Sequence, residues 1–517
     1  MLWLIALKEF KNNIVSSSFI VGMLLCLILI PYTVYTGIET YENRLSQYET
    51  DIKSAEDIYQ KTQVFATLNP LIVKPVSPLQ IFSNGISEQT GSKIRLDRKE
   101  KPFFSSDIIQ LNENPFMGNF LSLDFTTALT ILLSLLGILF SYDMLSREKE
   151  QGTLKLSLTN PLSRSTLFLG KITGIFLTLV PILILCFLII LIMIQFTPSI
   201  HFTASEYGRI VMLILMNLVY FAFFVFLGGF ISSRSKSSVT SIIINLFTWC
   251  FLLFLLPNAA TYLGKNITKA EDYKNVKFNI EQIDNNFWNN QSKEIEKQLK
   301  EENLELIGYY YCSGWDWDAG HLLLFTPLGS VQYERRKKEL INPVLLDNSN
   351  QKWIQQAAWL DQLYHQEKTV RYLSCISPAE IMKQISASLC RTGMTNEVHF
   401  MNQVRRFQDV FYGYFVQNKI YSSYEYFAIQ DEADFPADWD EARKQYEEWN
   451  SKTNRESTFD FSSFGYRDTS GFPRFTYVES TMGEDLMHQL FFLAGIIIAC
   501  ILLFWFSFIS FIKYDVR

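Results

Sequence analysis

The sequence lacks the short motifs by which many enzymes are recognised. Its 517 residues include only five histidines, and none of them stands at the spacing of a metal site. A phosphate-binding G-x-x-x-x-G-K-[ST] loop and a G-x-S-x-G nucleophile motif are both absent. The 46 Lys and Arg residues do not outnumber the 52 Asp and Glu residues, which disfavours nucleic-acid binding. We therefore expect a chain that is not an enzyme and holds no metal or cofactor of its own.

Charged residues are scarce, at 19% of the chain, whereas apolar residues make up 48% and are concentrated in a few long runs. Six of these runs reach about the 20 residues that a helix needs to cross a bilayer. The first run has no A-x-A cleavage site, which indicates a retained helix rather than a secretory signal. The sequence predicts an all-α polytopic membrane protein with six transmembrane helices and mainly helical extracytoplasmic domains. The predicted spans are residues 14–36, 121–141, 166–196, 207–231, 239–257 and 489–512.

Lysine and arginine in the short connections predict which end of the bundle faces the cytoplasm, because positive charge is retained on that side. Basic residues flank the spans at both termini and in the second and fourth connections, whereas the short loop 197–206 has none. Both termini are therefore expected in the cytoplasm. The other predicted segments are a cytoplasmic interfacial helix at 1–13, an extracytoplasmic segment at 37–120, a cytoplasmic coupling region at 142–165, a large extracytoplasmic domain at 258–488 and a cytoplasmic tail at 513–517.

The two outer segments carry helical patterns of apolar residues. One apolar stripe runs through 38–59, continuing the first span, and a second lies at 273–287. We expect these two helices to pack against each other. Residues 93–96 alternate as a short strand does. Further amphipathic helices are predicted in the larger domain at 351–372, 378–389, 396–413 and 438–449.

Few side chains in or near the spans suggest chemistry. No ionisable residue lies near the middle of a predicted span, which disfavours an ion-coupled carrier. Asn217 and Asn245 are the notable polar residues at mid-span, and such amides either bond between helices or line a path for a solute. Cys312, Cys375 and Cys390 lie in the larger outer segment, where one disulfide can form although no pairing is indicated.

The connection between the second and third predicted spans carries the clearest motif. A charged run is followed there by a glycine and then by an Asn-Pro pair at 160–161. The charged run and the residues that follow it are Arg147, Glu148, Lys149, Glu150, Gly152, Thr153 and Leu154. This pattern resembles the coupling region of ABC-2 type permeases, the stretch that touches the cytoplasmic ATPase in that family. The residues 377–379 and 513–517 are similar to a subgroup that includes nitrous-oxide-reductase-maturation and gliding-motility permeases.

The resemblance implies a permease subunit of an ATP-driven exporter, embedded in the bacterial cytoplasmic membrane. Its implied partners are cytoplasmic ABC ATPase subunits, which bind the ATP and Mg, and a second copy of the chain or a related permease. A periplasmic protein is a further candidate partner. Glu148 and Glu150 are expected to meet basic groups on the ATPase or at the start of the neighbouring helix, and Gly152 to permit a tight turn.

An alternative function uses the same ATPase differently. A mechanotransmission or scaffold protein would relay ATPase motion along helices such as 38–59 to an extracytoplasmic partner, without moving a solute. The sequence leaves the choice between transport and transmission open, together with the cargo, the direction of transport and any role of copper. A membrane-bound hydrolase is disfavoured by the missing catalytic motifs.

Overall fold

A computed structural model gives the arrangement of the chain. The residues described are 1–87, 90–103, 124–154, 163–306, 308, 311–313, 322–452 and 465–513. Within them, six helical segments are long and apolar enough to cross a membrane, which confirms the all-α polytopic architecture. The described helices are α1 Leu2–Ile14, α2 Ser17–Gln60, α3 Phe125–Ser141, α4 Ser146–Glu150, α5 Arg164–Gln195, α6 Ala204–Arg234, α7 Ser238–Cys250, α8 Leu256–Ile267, α9 Tyr273–Asn286, α10 Ser292–Glu301, α11 Leu328–Ser374, α12 Pro378–Leu389, α13 Met394–Gln417, α14 Trp439–Lys452 and α15 Met482–Ile512.

The spanning segments are α2, α3 with α4, α5, α6, α7 with α8, and α15. A π-helical turn at Phe251–Leu255 joins α7 to α8, so these two helices continue as one rod. Polar side chains fix where several spans begin, because the first N–H groups of a helix need acceptors. Asp124 accepts a hydrogen bond from the Thr127 N–H at 2.8 Å, and Thr203 with Glu206 forms a reciprocal capping box at the start of α6.

Strands form only two small antiparallel pairs in the described residues. Leu71–Val73 (β1) pairs with Lys93–Arg95 (β2), with Ile72 opposite Ile94. Tyr311–Ser313 (β3) pairs with Leu322–Leu324 (β4). The short strand predicted at 93–96 therefore lies in the first of these pairs, and its partner β1 packs on the outer part of α2.

The bundle of spans has two ends that differ in what they carry. The amino-terminal end holds α1, α4 and the turn between α6 and α7, while the other end, which we call the domain end, carries a domain that includes helices α9 to α14. Helix α1 lies directly on α5, and glycines make this close contact: a Cβ on Gly174 would stand 2.5 Å from the Glu9 Cβ, and one on Gly170 would stand 2.8 Å from the Ile5 Cβ. Small residues thus let the two helices approach closely.

The partner predicted for the outer part of α2 is wrong. Beyond the membrane, α2 packs on β1 and on the 3₁₀ turn Pro78–Ile81, and α9 packs instead against α11. Trp359 of α11 makes this second contact specific, because its indole N–H donates to the Glu271 carbonyl at 2.7 Å and its ring lies 5.0 Å from that of Tyr273. The apolar stripes predicted that each helix has a buried face, but they did not determine which helix covers it.

A buried ion pair joins the domain to the spans. Arg209 of α6 is fully buried, and its Nη1 lies 2.7 Å from Asp485 Oδ2 of α15. The same guanidinium donates to the carbonyls of Leu389 and Ser480, and Asn396 donates to Asp485 Oδ1. Two spans and the ends of α12 and α13 are therefore fixed at one point, because each member of this cluster needs the others to offset its desolvation.

The cysteines of the outer segment do not form a disulfide between Cys375 and Cys390. Both are free thiols, and Cys390 is fully buried. Burial raises the pKa of the Cys390 thiol, with a smaller upward contribution from Asp124, so this cysteine stays protonated and unreactive. The side chain of Cys312 lies outside the described ones.

The contact between α1 and α5 gives a stability prediction. We expect Gly174→Ala to lower the unfolding temperature of the detergent-solubilised chain, because the added methyl meets the Glu9 side chain and the Ala6 carbonyl oxygen and displaces α1 at a cost of about 1–3 kcal/mol. Gly495→Ala in α15 is the matched control, since no described atom lies within 4 Å of its would-be Cβ. Alanine favours helices by about 1 kcal/mol over glycine, so this control should raise the unfolding temperature. Equal shifts in both variants would contradict the close packing of α1.

Candidate coupling surface

The segment predicted to couple the chain to an ATPase folds as a short helix with a defined end. Helix α4 begins directly after the turn that follows α3, and Gly152 then adopts the left-handed conformation, with φ +69. Only glycine takes this conformation at little cost, so the residue ends the helix where the sequence places it. Leu154 is buried at 1% exposure and anchors the far side of the turn. Residues 155–162 of the predicted coupling region lie outside the described residues.

A buried lysine gathers three elements at the amino-terminal end. Lys171 of α5 is 4% exposed, and its Nζ lies 2.8 Å from Glu148 Oε1 of α4 and 3.1 Å from Glu9 Oε1 of α1. A lysine buried this far needs such partners, because the ammonium loses most of its hydration. Glu148 therefore meets a basic group at the start of the next span of its own chain, which is one of the two roles that the sequence indicated for it.

Lys149 and Glu150 bond to the turn between α6 and α7. The Lys149 ammonium donates to the carbonyl oxygens of Ser233 and Ser235, near the last turn of α6. A cation at this position complements the negative end of the helix dipole. Glu150 Oε2 accepts from the Ser238 N–H at 3.0 Å, which places a carboxylate at the positive end of α7.

The hydroxyl of Ser232 completes the attachment of α4. It accepts hydrogen bonds from the backbone N–H groups of Leu145 and Ser146, both at 3.0 Å. These are two of the N–H groups at the start of α4 that the helix itself cannot satisfy. Helix α4 is thus bonded to α5, α6 and α7, three separate elements of the span bundle, and it meets α1 through the shared Lys171.

The remaining residues of the motif face away from the bundle. The Arg147 side chain is 65% exposed, and its one ion pair among the described residues is a long one with Asp143, at 3.6 Å. Gln151, Gly152 and Thr153 are exposed beside it, and no described atom lies within 4 Å of the would-be Cβ of Gly152. The motif therefore has two faces. Glu148, Lys149 and Glu150 hold α4 to the bundle, whereas Arg147 and the exposed turn after the helix form an open surface, which we call the coupling surface.

Two members of this arrangement were missed by reasoning from sequence. Glu9 lies more than a hundred residues before the motif, and Ser232 is one of several serines after the fourth span. A signal existed for the first of them, since an acidic residue on an amphipathic helix beside a span that begins with a lysine can form an ion pair. For Ser232 no sequence signal distinguishes it from its neighbour Ser233.

The two mid-span amides are buried and bond within their own helices. Asn217 Nδ2 donates to the Leu213 carbonyl at 2.9 Å, and Asn245 Nδ2 donates to the Ser241 carbonyl at 3.0 Å. Their Oδ1 atoms have no hydrogen-bond partner among the described residues. Asn245 nevertheless lies at a helix contact, because its Oδ1 is 3.5 Å from the would-be Cβ of Gly228 in α6.

Within the described part of the chain, no three His, Cys, Asp or Glu side chains are grouped so that they could hold a metal ion.

The sequence profile described as ABC-2 family transporter protein matches residues 3–429, and so includes five of the six spans and the coupling surface. No curated protein matches the chain significantly. The match confirms the resemblance at the level of the family, without resolving a subgroup. The chain therefore belongs to the ABC-2 family of transporter proteins, as a membrane permease subunit of an ABC transporter.

Proposed function

We propose that this chain is the permease subunit of an ATP-driven exporter whose coupling surface faces the cytoplasm and binds a separate ABC ATPase. The observation that carries the proposal is the two-faced motif at 147–154. One face holds α4 to the bundle through Glu148, Lys149 and Glu150, and the other presents Arg147 and an open turn to a partner. A membrane protein with no nucleotide-binding motif needs such a surface if ATP is to drive it.

The bonds of α4 explain how motion of an ATPase would reach the spans. A displacement of α4 acts on α5 through Lys171, on α6 through Ser232 and on α7 through Ser238. Because packed helices move as rigid bodies rather than deform continuously, these attachments would turn a push on α4 into a rearrangement of the bundle. Two copies of the chain, or one copy with a related permease, would present two such surfaces to a pair of ATPase subunits.

One observation favours the alternative function, in which the chain relays motion to an outer partner. Helix α2 runs for 44 residues without interruption, from the membrane to the β1–β2 pair of the domain. Its outer part is held by an ion pair between Asp51 and Lys93 at 3.1 Å. A continuous helix of this length moves the domain whenever its membrane part tilts. Purified permease and ATPase can be tested for solute transport in sealed vesicles with no outer partner present. Transport under these conditions would support the exporter over the transmission function.

The two faces of the motif predict different effects of substitution. We expect Arg147→Glu to weaken binding of the co-purified ABC ATPase at least tenfold, which corresponds to about 1.4 kcal/mol, while the unfolding temperature of the permease stays unchanged. Glu148→Gln should do the reverse: the ATPase still binds, but the permease unfolds at a lower temperature and no longer stimulates ATP hydrolysis. The loss has a physical cause, because the buried Lys171 then loses one of the two carboxylates that it contacts among the described residues and keeps Glu9.

Binding is measured by titrating the ATPase onto permease in lipid nanodiscs, and coupling by the rate of ATP hydrolysis in the same discs. Thr50→Ala, at an exposed position of α2, is the control for substitution on a spanning helix. Unchanged ATPase binding and hydrolysis in Arg147→Glu would contradict the proposal that this surface binds the ATPase. If charge reversal at both Glu148 and Glu150 left assembly and transport intact, the role proposed for the face that holds α4 to the bundle would be contradicted.

The orientation of the chain gives a second prediction. In a variant whose native cysteines are replaced by serine or alanine, a cysteine at Gln151 should react with a membrane-impermeant maleimide only after the cells are opened. A cysteine at Asp434, which is exposed in the domain, should react in intact cells whose outer surface is accessible to the reagent. The reverse pattern would place the coupling surface outside the cell and contradict the proposed function.

A further inference from the structure

A polar cavity of about 300 Å³ lies at the domain end of the bundle. It is lined by α8, by the last turns of α11, by α12, by the first part of α15 and by residues 85–86 and 393–395, and it is open on one side. Its charged and amide-bearing wall residues include Lys265, Glu367, Arg371, Glu380, Lys383 and Gln489. A wider cleft adjoins it across Glu367 and Arg371. The cavity lies at the opposite end of the spans from the coupling surface.

The charges in this wall are of both signs, and the Glu367–Arg371 pair among them is largely removed from water. Arg371 Nη2 lies 2.6 Å from Glu367 Oε1, and both side chains are about one-sixth exposed, at 16% and 15%. Burial raises the pKa of the Glu367 carboxyl above its usual value, Arg371 opposes that rise, and the carboxylate of Glu380 adds to it. A positively charged group beside the two carboxylates would therefore be favourable, provided that the ligand also offers a negative group to the basic side chains.

Two amide side chains in the wall lack hydrogen-bond partners for their oxygens. Gln489 is 3% exposed, and neither its Oε1 nor the buried Oε1 of Gln384 receives a hydrogen bond from any described residue. A buried acceptor without a donor costs about 1–3 kcal/mol, so these amides are suited to a ligand that brings N–H or O–H groups. A primary ammonium has three such donors.

The residues around the cavity are of the types that occur at the surface of a bilayer. Along α8 its wall runs from Pro257 to Lys265, a rise of about 12 Å at the usual 1.5 Å per residue. Leu255, at the end of the π turn before α8, and Tyr262 of α8 are 61% and 70% exposed, and Phe491 on α15 is 65% exposed. Apolar side chains flanked by an exposed Tyr and a Lys are typical of the level at which lipid headgroups lie.

We propose that this cavity binds the headgroup of a zwitterionic phospholipid that carries a primary ammonium. The phosphate lies toward Arg371 and Lys383, and the ammonium lies toward Glu367, Glu380 and the free amide oxygens. Guanidinium and ammonium groups are the usual partners of phosphate, and carboxylates are the usual partners of a primary ammonium. The inference depends on the proposed function only for the leaflet concerned, which is the outer one when the coupling surface is cytoplasmic.

Native mass spectrometry of the purified full chain tests this site. The chain is released from detergent micelles after incubation with a single lipid, either phosphatidylethanolamine, phosphatidylcholine or phosphatidylglycerol of identical acyl chains. We expect one bound phosphatidylethanolamine, retained at least tenfold more than either of the other lipids. Phosphatidylcholine has a quaternary ammonium that cannot donate a hydrogen bond, and phosphatidylglycerol has no ammonium. Equal retention of the three lipids would overturn the proposal.

Substitutions then place the lipid in this cavity. Glu380→Gln, which removes a carboxylate while keeping the shape, should lower retention at least fivefold, and so should Gln489→Leu. Asp361→Asn is the matched control, since Asp361 is an exposed carboxylate on α11 outside the cavity wall. Both cavity variants should keep the unfolding temperature of the wild type within a few degrees. Retention by folded Glu380→Gln and Gln489→Leu at the wild-type level would overturn the assignment.

A competition experiment distinguishes a membrane lipid from a soluble ligand with the same headgroup chemistry. Glycerophosphoethanolamine carries the same headgroup without acyl chains, and we expect it to compete only at concentrations far above those of the lipid. Competition at equal concentration would assign the cavity to a soluble zwitterion and overturn the lipid proposal. All of these measurements use the permease alone, so their failure leaves the coupling surface untouched, and loss of ATPase binding in Arg147→Glu leaves the lipid site untouched.

Discussion

Charges at the ends of the spanning helices must find partners, because an ion taken out of water without one costs several kcal/mol. The chain obeys this constraint at both ends of its bundle. Lys171 binds Glu9 and Glu148 at the amino-terminal end, and Arg209 binds Asp485 at the domain end. These two ion-pair clusters determine which elements are joined. One attaches the short helix α4 to the bundle, and the other attaches the domain to the spans.

The architecture was largely predictable from sequence, and the tertiary contacts were not. Hydropathy found the six spans because a bilayer requires about 20 consecutive apolar residues, a signal that little else imitates. The helices 378–389 and 438–449 were also indicated by local patterns, and α12 and α14 lie there. The pairing of α2 with α9 failed for a physical reason: an apolar stripe shows that a face is buried, whereas its partner depends on how the whole chain is arranged.

The coupling motif shows the same division at the scale of single residues. Its resemblance to a family located the segment, but a helix of five residues has too few turns to define a buried face from its sequence. Arg147 and Glu148 are neighbours of similar polarity, yet one side chain is 65% exposed and the other 25%. The difference comes from Lys171, which is distant in sequence and attracts only the acidic neighbour. Tertiary electrostatics therefore decided which residues remain available to a partner.

The coupling surface and the domain-end cavity, the two sites proposed for this chain, are connected by a single rod. Glu150 accepts a hydrogen bond from the Ser238 N–H, the first of α7. The rod formed by α7, the π turn and α8 ends in the wall of the domain-end cavity. The π turn is the place where this rod departs from regular geometry, and Ser377 of the domain donates to its Leu252 carbonyl at 2.7 Å. Single π turns inside α-helices are frequent at functional sites. A displacement of α4 would therefore reach the cavity along one continuous helix, and the domain would respond at the same turn.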